Sequence, residues 1–157
     1  MSTTGAAYHR VMDLPISAQS GFPGDSESGF GPDRTPFAAI GGIERVHELV
    51  DRFYLHMAED AAFASTRALY PPGDLEESKR KLFEFLVGWL GGPPLYIEKH
   101  GHPRLRGRHI PFAIGDTARD HWLACMARAM DEMEIRGELR AFLEQRFRHV
   151  ADVLRNQ

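Results

Sequence analysis

Apolar side chains recur at three- and four-residue steps through most of the chain after residue 42, which is the spacing of one face of an α-helix. Such stripes lie within residues 43–57, 75–89, 122–133 and 139–154. No run alternates apolar and polar residues with the two-residue period of a half-buried strand. The sequence therefore predicts an all-α domain with about five substantial helices.

Glycine and proline residues separate the stripes. The run Tyr70-Pro71-Pro72-Gly73-Asp74 ends one helical pattern, and Asp74 is a suitable N-cap for the next. Gly91-Gly92-Pro93-Pro94 ends that next helix, and Gly137 separates the last two. Residues 95–114 are less regular, and a long helix is predicted to start near Asp116.

The first part of the chain has a different composition from the rest. Ser17–Pro36 is rich in glycine, serine and proline and poor in branched aliphatic residues, so it cannot bury enough apolar surface to offset the entropy lost on ordering. We expect residues 1–36 to be an extension with little regular structure and residues 37–157 to form one domain. Whether the extension packs on that domain is left open, as is self-association into a homodimer.

Charge and cysteine content narrow the function classes. The net charge is −3 and the pI is about 6.2, so the chain lacks the basic field of a nucleic-acid-binding protein. No stretch approaches eighteen apolar residues, so we expect no membrane span. The single cysteine, Cys125, lies in an apolar helical pattern and suits a buried thiol in a reducing cytoplasm.

Several kinds of catalytic or metal site are disfavoured by the sequence. The eight histidines suggest metal chemistry, but one cysteine and no HExxH motif do not make a zinc site. Cys125 has apolar neighbours rather than a base, so it is a poor nucleophile. No glycine-rich phosphate loop of the GxxxxGK[ST] type is present.

The segment from His102 to Phe112 has an unusual composition. Its cationic side chains surround Leu105, and His109 leads into an apolar Ile-Pro-Phe sequence. A histidine at an apolar boundary beside arginines suits a flat, hydrophobic, anionic ligand, and haem meets that description. Taken alone, these residues equally describe a basic surface loop with a partly packed histidine, which is the commoner arrangement.

Five motifs, in order along the chain, make the interpretation of this segment as a haem site more specific. Together they resemble the group II truncated haemoglobins over about residues 37–155, and the extension lies outside the resemblance. The motifs are Arg52-Phe53-Tyr54, Leu69-Tyr70-Pro71, the run from Trp89 to Tyr96, the run from Gly101 to Phe112, and the run from Arg119 to Met126.

The resemblance implies a two-on-two helical sandwich around one b-type haem. His109 then matches the proximal histidine that binds the iron, and Tyr54, Tyr70 and Trp122 match residues of the distal side, where a gas molecule binds. Ser78 takes the place where many globins keep a distal histidine. Without the resemblance, Tyr54 and Trp122 would be interpreted as core residues.

One helix face agrees with these implied roles. Ser78, Lys81, Leu82 and Phe85 are spaced i, i+3, i+4, i+7, so a single face would present a small residue, a cation and two apolar side chains to the ring. Lys81 and Arg106 are the candidates to face a haem propionate. The full set of expected haem contacts is Tyr70, Leu75, Ser78, Lys81, Leu82, Phe85, Tyr96, His102, Arg106, His109, Phe112, Ile114 and Trp122.

The resemblance also implies a function. We expect O2, nitric oxide, carbon monoxide or peroxide to bind at the haem, supporting nitric oxide dioxygenation or peroxide chemistry. Since the chain has no flavin or nicotinamide motif, electrons would come from a separate reductase. Non-catalytic O2 storage or gas sensing is the alternative, and a haem-free helical interaction module is a third.

Overall fold

The computed structural model describes residues 29–70, 75–102 and 113–156. Within these ranges the protein is helical and contains no strand, which confirms the all-α prediction. Asp74, Arg106, His109 and Phe112 lie outside the described residues, so the roles expected of them remain predictions. None of the described helices is long and apolar enough to cross a lipid bilayer.

Four long helices carry the domain, and shorter ones connect them. The short helices are α1 (Pro36–Ile40), α3 (Ala64–Arg67) and α5 (Leu95–His100), with a 3-10 turn over Ala61–Phe63 before α3. The long helices are α2 (Ile43–Glu59), α4 (Leu75–Trp89), α6 (Asp116–Glu132) and α7 (Gly137–Leu154).

The long helices pack in two pairs, α2 with α4 and α6 with α7, and α2 also crosses α6. Each contributes the apolar stripe predicted from its sequence, because burying that face removes the largest apolar area from water. Side chains with at most 1% exposure come from all four helices, among them Leu49, Phe53, Leu86, Met126 and Phe147. This two-by-two arrangement leaves room between the pairs at one end.

The turn after α4 depends on glycine, as the sequence predicted. Gly91 has φ 100°, and a Cβ atom there would lie 2.8 Å from the Thr35 side chain. At Gly92 a Cβ atom would lie 2.8 Å from the carbonyl oxygen of Val87. Only glycine allows both the positive φ and the close approach, so α4 ends here and the chain turns into α5.

The end of the N-terminal extension packs on α7. Phe30 is 3% exposed, and its ring centroid lies 5.0 Å from that of Phe142. Arg34 lies over the Phe30 ring and forms a 2.9 Å ion pair with Glu138. The sequence left open whether the extension packs on the domain. Residues 29–35 do contact the domain, although they have little regular structure.

A buried carboxylate joins α4 to α5. The side chain of Glu84 is 2% exposed and accepts hydrogen bonds from Lys99 Nζ at 2.8 Å and His100 Nε2 at 3.0 Å. Burial by itself raises the pKa of this carboxyl, but the bonds from Lys99 and His100 outweigh it, so the pKa lies below its ordinary value of 4.5. The ionised form is therefore favoured by folding.

The Glu84 cluster predicts a pH-dependent stability. A lowered pKa contributes stability that is complete above pH 4.5 and is lost as the pH falls through the folded-state pKa. Glu84→Gln should lower the free energy of unfolding at neutral pH by about 1.5–3 kcal/mol, the contribution of a charge-assisted hydrogen bond. At an acid pH below the folded-state pKa, where the wild-type carboxyl is also protonated, the difference should shrink.

Urea denaturation at both pH values measures this effect. Glu98→Gln on the exposed side of α5 is the matched control and should stay within about 0.5 kcal/mol of wild type. An equal loss of unfolding free energy for Glu84→Gln at both pH values would show that the carboxylate charge does not stabilise the contact between α4 and α5.

Candidate functional site

A cavity of about 410 Å³ lies between the helix pairs. Its volume falls in the roughly 300–1,000 Å³ range of small-molecule and cofactor sites. Most of its wall is apolar or aromatic. The lining residues are Tyr54, Thr66, Leu69, Tyr70, Ser78, Lys81, Leu82, Phe85, Leu86, Trp89, Tyr96, Ile114, Ala118, Arg119, Trp122, Phe147, Val150, Ala151 and Leu154.

Two tyrosines and a tryptophan line the cavity, and the Phe53 ring connects them. Tyr54 of α2 is 7% exposed, and its ring centroid lies 5.9 Å from that of Tyr70, which follows α3. A side-chain hydrogen bond joins the two. The buried Phe53 ring packs against both Tyr54 and Trp122 of α6, with ring centroids 5.0 Å and 5.3 Å apart. Phe53 thereby fixes the spacing between the tyrosine pair and the indole.

Burial keeps both phenols protonated. It raises the pKa of Tyr54 well above 10, an effect that the charge and hydrogen bond of Tyr70 reinforce. It also raises the pKa of Tyr70 to about 12, although the bond from Tyr54 acts in the opposite direction. At neutral pH the pair therefore carries two O–H groups and no negative charge; the Tyr54 hydroxyl donates to Tyr70, and the Tyr70 hydroxyl can donate a hydrogen bond into the cavity.

The opposite wall comes from one face of α4. Ser78, Lys81, Leu82 and Phe85 all line the cavity, in the order that their spacing indicates. Lys81 is at the rim, partly exposed, with Nζ 3.2 Å from Glu77. Tyr96 of α5 and Ile114, just before α6, also belong to the lining.

Two other expected contacts do not line the cavity. Leu75, the first residue of α4, is half-buried and packs against the core instead. His102 is exposed at the end of the described part of the α5 region. Leu75 directly follows residues 71–74, and His102 directly precedes residues 103–112, both of which lie outside the described ranges.

Sequence reasoning missed several lining residues. Four of them belong to apolar helix stripes, in which residues of a cavity wall and residues of the core have the same spacing. These are Trp89, Phe147, Val150 and Leu154. The Phe147 ring packs against both Trp89 and Trp122, with ring centroids 5.4 Å and 5.6 Å apart. Two polar residues were also missed: Thr66 is on a helix too short to have a period, and Arg119 resembles a solvated surface cation.

Comparison with known proteins places the chain in a family. The bacterial-like globin family matches residues 35–156. A curated relative, group 2 truncated hemoglobin YjbI of Bacillus subtilis (strain 168), is 47% identical over 124 residues, which cover 78% of this chain and 89% of the relative. The chain belongs to the group II truncated haemoglobins.

Solved structures of truncated haemoglobins are similar in fold. The group II 2-on-2 haemoglobin of Agrobacterium tumefaciens has a TM-score of 0.75 and 44% identity, over 78% of this chain and 95% of that one. A truncated oxygen-avid haemoglobin from Bacillus subtilis has a TM-score of 0.71 and 44% identity, over 78% of this chain and all (100%) of that one. The two-on-two sandwich expected from the sequence is confirmed.

Membership of this globin family implies haem-based binding of O2 and other diatomic gases, and the cavity can be tested for its fit to haem. Its interior is apolar enough for the macrocycle, and Lys81 at the rim has the charge that a propionate needs. Tyr54, Tyr70 and Trp122 are among the polar donors that line it. The described residues therefore fit the group.

Proposed function

We propose that this truncated globin holds haem b in the cavity, retains O2 there by hydrogen bonding, and uses it to oxidise nitric oxide to nitrate. One observation carries the proposal: Tyr54, Tyr70 and Trp122, each with an O–H or N–H donor, line one mostly apolar cavity, and the two tyrosines are hydrogen-bonded to each other. The Bacillus subtilis structure described as oxygen-avid supports tight retention of O2 in this family.

Each part of the cavity has a separate task. Haem supplies the iron at which a diatomic gas binds and the electron that its reactions consume. His109, by the family pattern, would bind the iron, and Lys81 and Arg106 would face the propionates. Ser78, Leu82 and Phe85 of α4 would lie over the ring, where Ser78 leaves space that a larger side chain would fill.

The strength of the hydrogen bonds to bound O2 decides whether the protein releases O2 for transport or holds it for reaction. A hydrogen bond to a charged or partly charged acceptor contributes about 1.5–3 kcal/mol. Since about 1.4 kcal/mol is a factor of ten, one donor slows the escape of O2 by about ten- to a hundredfold. Two or more donors hold O2 long enough for a second small molecule to arrive, which favours reaction over transport.

The surrounding side chains suit this chemistry. Tyr54 and Tyr70 stay protonated at neutral pH, so Tyr70, which accepts the hydrogen bond of Tyr54, can donate its own O–H to O2 and the pair adds no negative charge. The rings of Phe53 and Phe147 contact Trp122 from two sides and limit its movement. Each nitrate contains the atoms of one nitric oxide and one O2 and takes up one electron, so turnover needs an external reductase to return that electron.

Removing the indole N–H tests the retention step. Trp122→Phe should speed O2 dissociation by at least about tenfold, the lower end of the expected effect of one donor. Stopped-flow mixing of the oxygenated protein with carbon monoxide measures the rate. Trp89→Phe is a matched control, because Trp89 also lines the cavity but its ring stacks on Phe85 and Phe147 rather than on the tyrosine pair. Its O2 dissociation rate should stay within about twofold of wild type. A Trp122→Phe rate equal to that of the control would contradict the proposal.

Nitrate formation separates the enzyme from a storage or sensing globin. We expect the oxygenated protein to consume nitric oxide rapidly and to form one nitrate for each nitric oxide, with continued turnover when a chemical reductant and O2 are supplied. The same donors would serve storage if O2 is retained but nitric oxide is not converted. Retention without nitrate would therefore assign the non-catalytic role and exclude dioxygenation.

A further inference from the structure

A hydrogen-bonded pair connects the cavity to the protein surface beside the tyrosines. Thr66 of α3 is 6% exposed, and its side chain lines the cavity. Its Oγ1 atom lies 2.7 Å from Nδ1 of His121, which is on α6 directly before Trp122. His121 is only partly buried. Thr66 thus lines the cavity, and His121 is partly exposed to solvent.

Phe63 holds the imidazole in this position. The two rings are edge to face, with centroids 5.2 Å apart. Phe63 is itself 3% exposed and carries the Arg128 guanidinium 4.9 Å from its centroid. With one face packed and Nδ1 bonded to Thr66, the imidazole has a defined orientation rather than that of a free surface histidine.

The buried phenols and the buried thiol are not proton sources. Burial raises the pKa of Tyr54 well above 10 and those of Tyr70 and Cys125 to about 12, so none of these groups releases a proton near neutral pH. Histidine is the side chain whose charge changes between about pH 5 and 8. A threonine hydroxyl accepts one hydrogen bond while donating another, so it can pass a proton on.

Charged groups near His121 already have other partners. The elements packed against α6 are α2, α3 and α7, and each contributes charged or titratable side chains that bond elsewhere. These are Asp60 with Arg128, His56 with Glu132, Arg67 with the carbonyls of Met57 and Ala58, Asp152 with Arg119, and Asp120 with Arg119. Thr66 is therefore the partner through which the imidazole acts on the cavity.

We propose that Thr66 and His121 form a proton relay from solvent to the cavity. Solvent protonates Nε2 of the neutral imidazole as Nδ1–H gives its proton to Thr66 Oγ1 and the hydroxyl gives its own proton to an acceptor in the cavity. One proton enters from solvent for each proton that reaches the acceptor, and exchange with solvent restores the tautomer with a proton on Nδ1. The relay rests on the proposed function, because the acceptor is O2 held in the cavity.

Spontaneous oxidation of the oxygenated protein is the reaction that reports the relay. In it, O2 leaves as a hydroperoxyl radical with one electron from the iron and one proton, and the iron becomes ferric. Its rate should rise in wild type as the pH falls through the titration range of the imidazole. Absorption spectra follow the loss of the oxygenated form across about pH 5 to 8.

The variants separate proton transfer from packing. Thr66→Ser keeps the hydroxyl, whereas Thr66→Val removes it at nearly the same volume. His121→Gln keeps hydrogen-bonding atoms but does not titrate near neutral pH, and His149→Gln on the exposed side of α7 is the matched control. At the acid end, Thr66→Val and His121→Gln should oxidise at least about tenfold more slowly than wild type, within the effect of a positioned proton donor. Thr66→Ser and His149→Gln should follow the wild-type profile.

A second measurement does not depend on oxidation. In the carbon monoxide complex, NMR should show a hydrogen bond at His121 Nδ1 that is kept in Thr66→Ser and lost in Thr66→Val. Superimposable pH profiles of oxidation for all variants, or a His121 Nδ1 signal that is the same in wild type and Thr66→Val, would overturn the relay. A wild-type protein that forms no carbon monoxide complex would instead contradict the proposed function, so the two failures are distinguishable.

Discussion

Burial of polar donors in an apolar wall is the constraint on which the rest of this structure depends. A phenol or indole removed from water needs a hydrogen-bonding partner, and the Tyr54–Tyr70 bond satisfies part of that need. The same burial keeps the phenols protonated, so the physical cause of their high pKa values is also the cause of their capacity to donate. A cavity with such an end is suited to a ligand that accepts hydrogen bonds, as O2 does at haem.

The helix packing serves this arrangement. Phe53 lies in the core at 0% exposure and contacts both Tyr54 and Trp122, so the crossing of α2 and α6 sets where the donors lie. The Glu84 cluster fixes α5 against α4 on the other side of the cavity and positions Tyr96, whose ring lies 4.8 Å from that of His100.

Much of the fold could be predicted because helix stripes follow directly from burial. Ser78, Lys81, Leu82 and Phe85 share a wall because the helix period requires it. The docking of Phe30 on Phe142 could not be predicted, since an isolated aromatic residue in a polar segment has no period. Thr66 and His121 are 55 positions apart and meet only through the packing of α3 against α6, so the sequence offered no signal of the pair. The role of His109 comes from the family resemblance.

The central claim is that the cavity holds a haem through His109, and the absorption spectrum of the purified protein tests it most directly. Protein prepared with an adequate haem supply should show a haem absorption band that shifts when carbon monoxide is added to the reduced form. His109→Ala prepared in the same way should contain little haem. A colourless wild-type protein that takes up no added hemin, or a His109→Ala spectrum identical to that of wild type, would contradict the account.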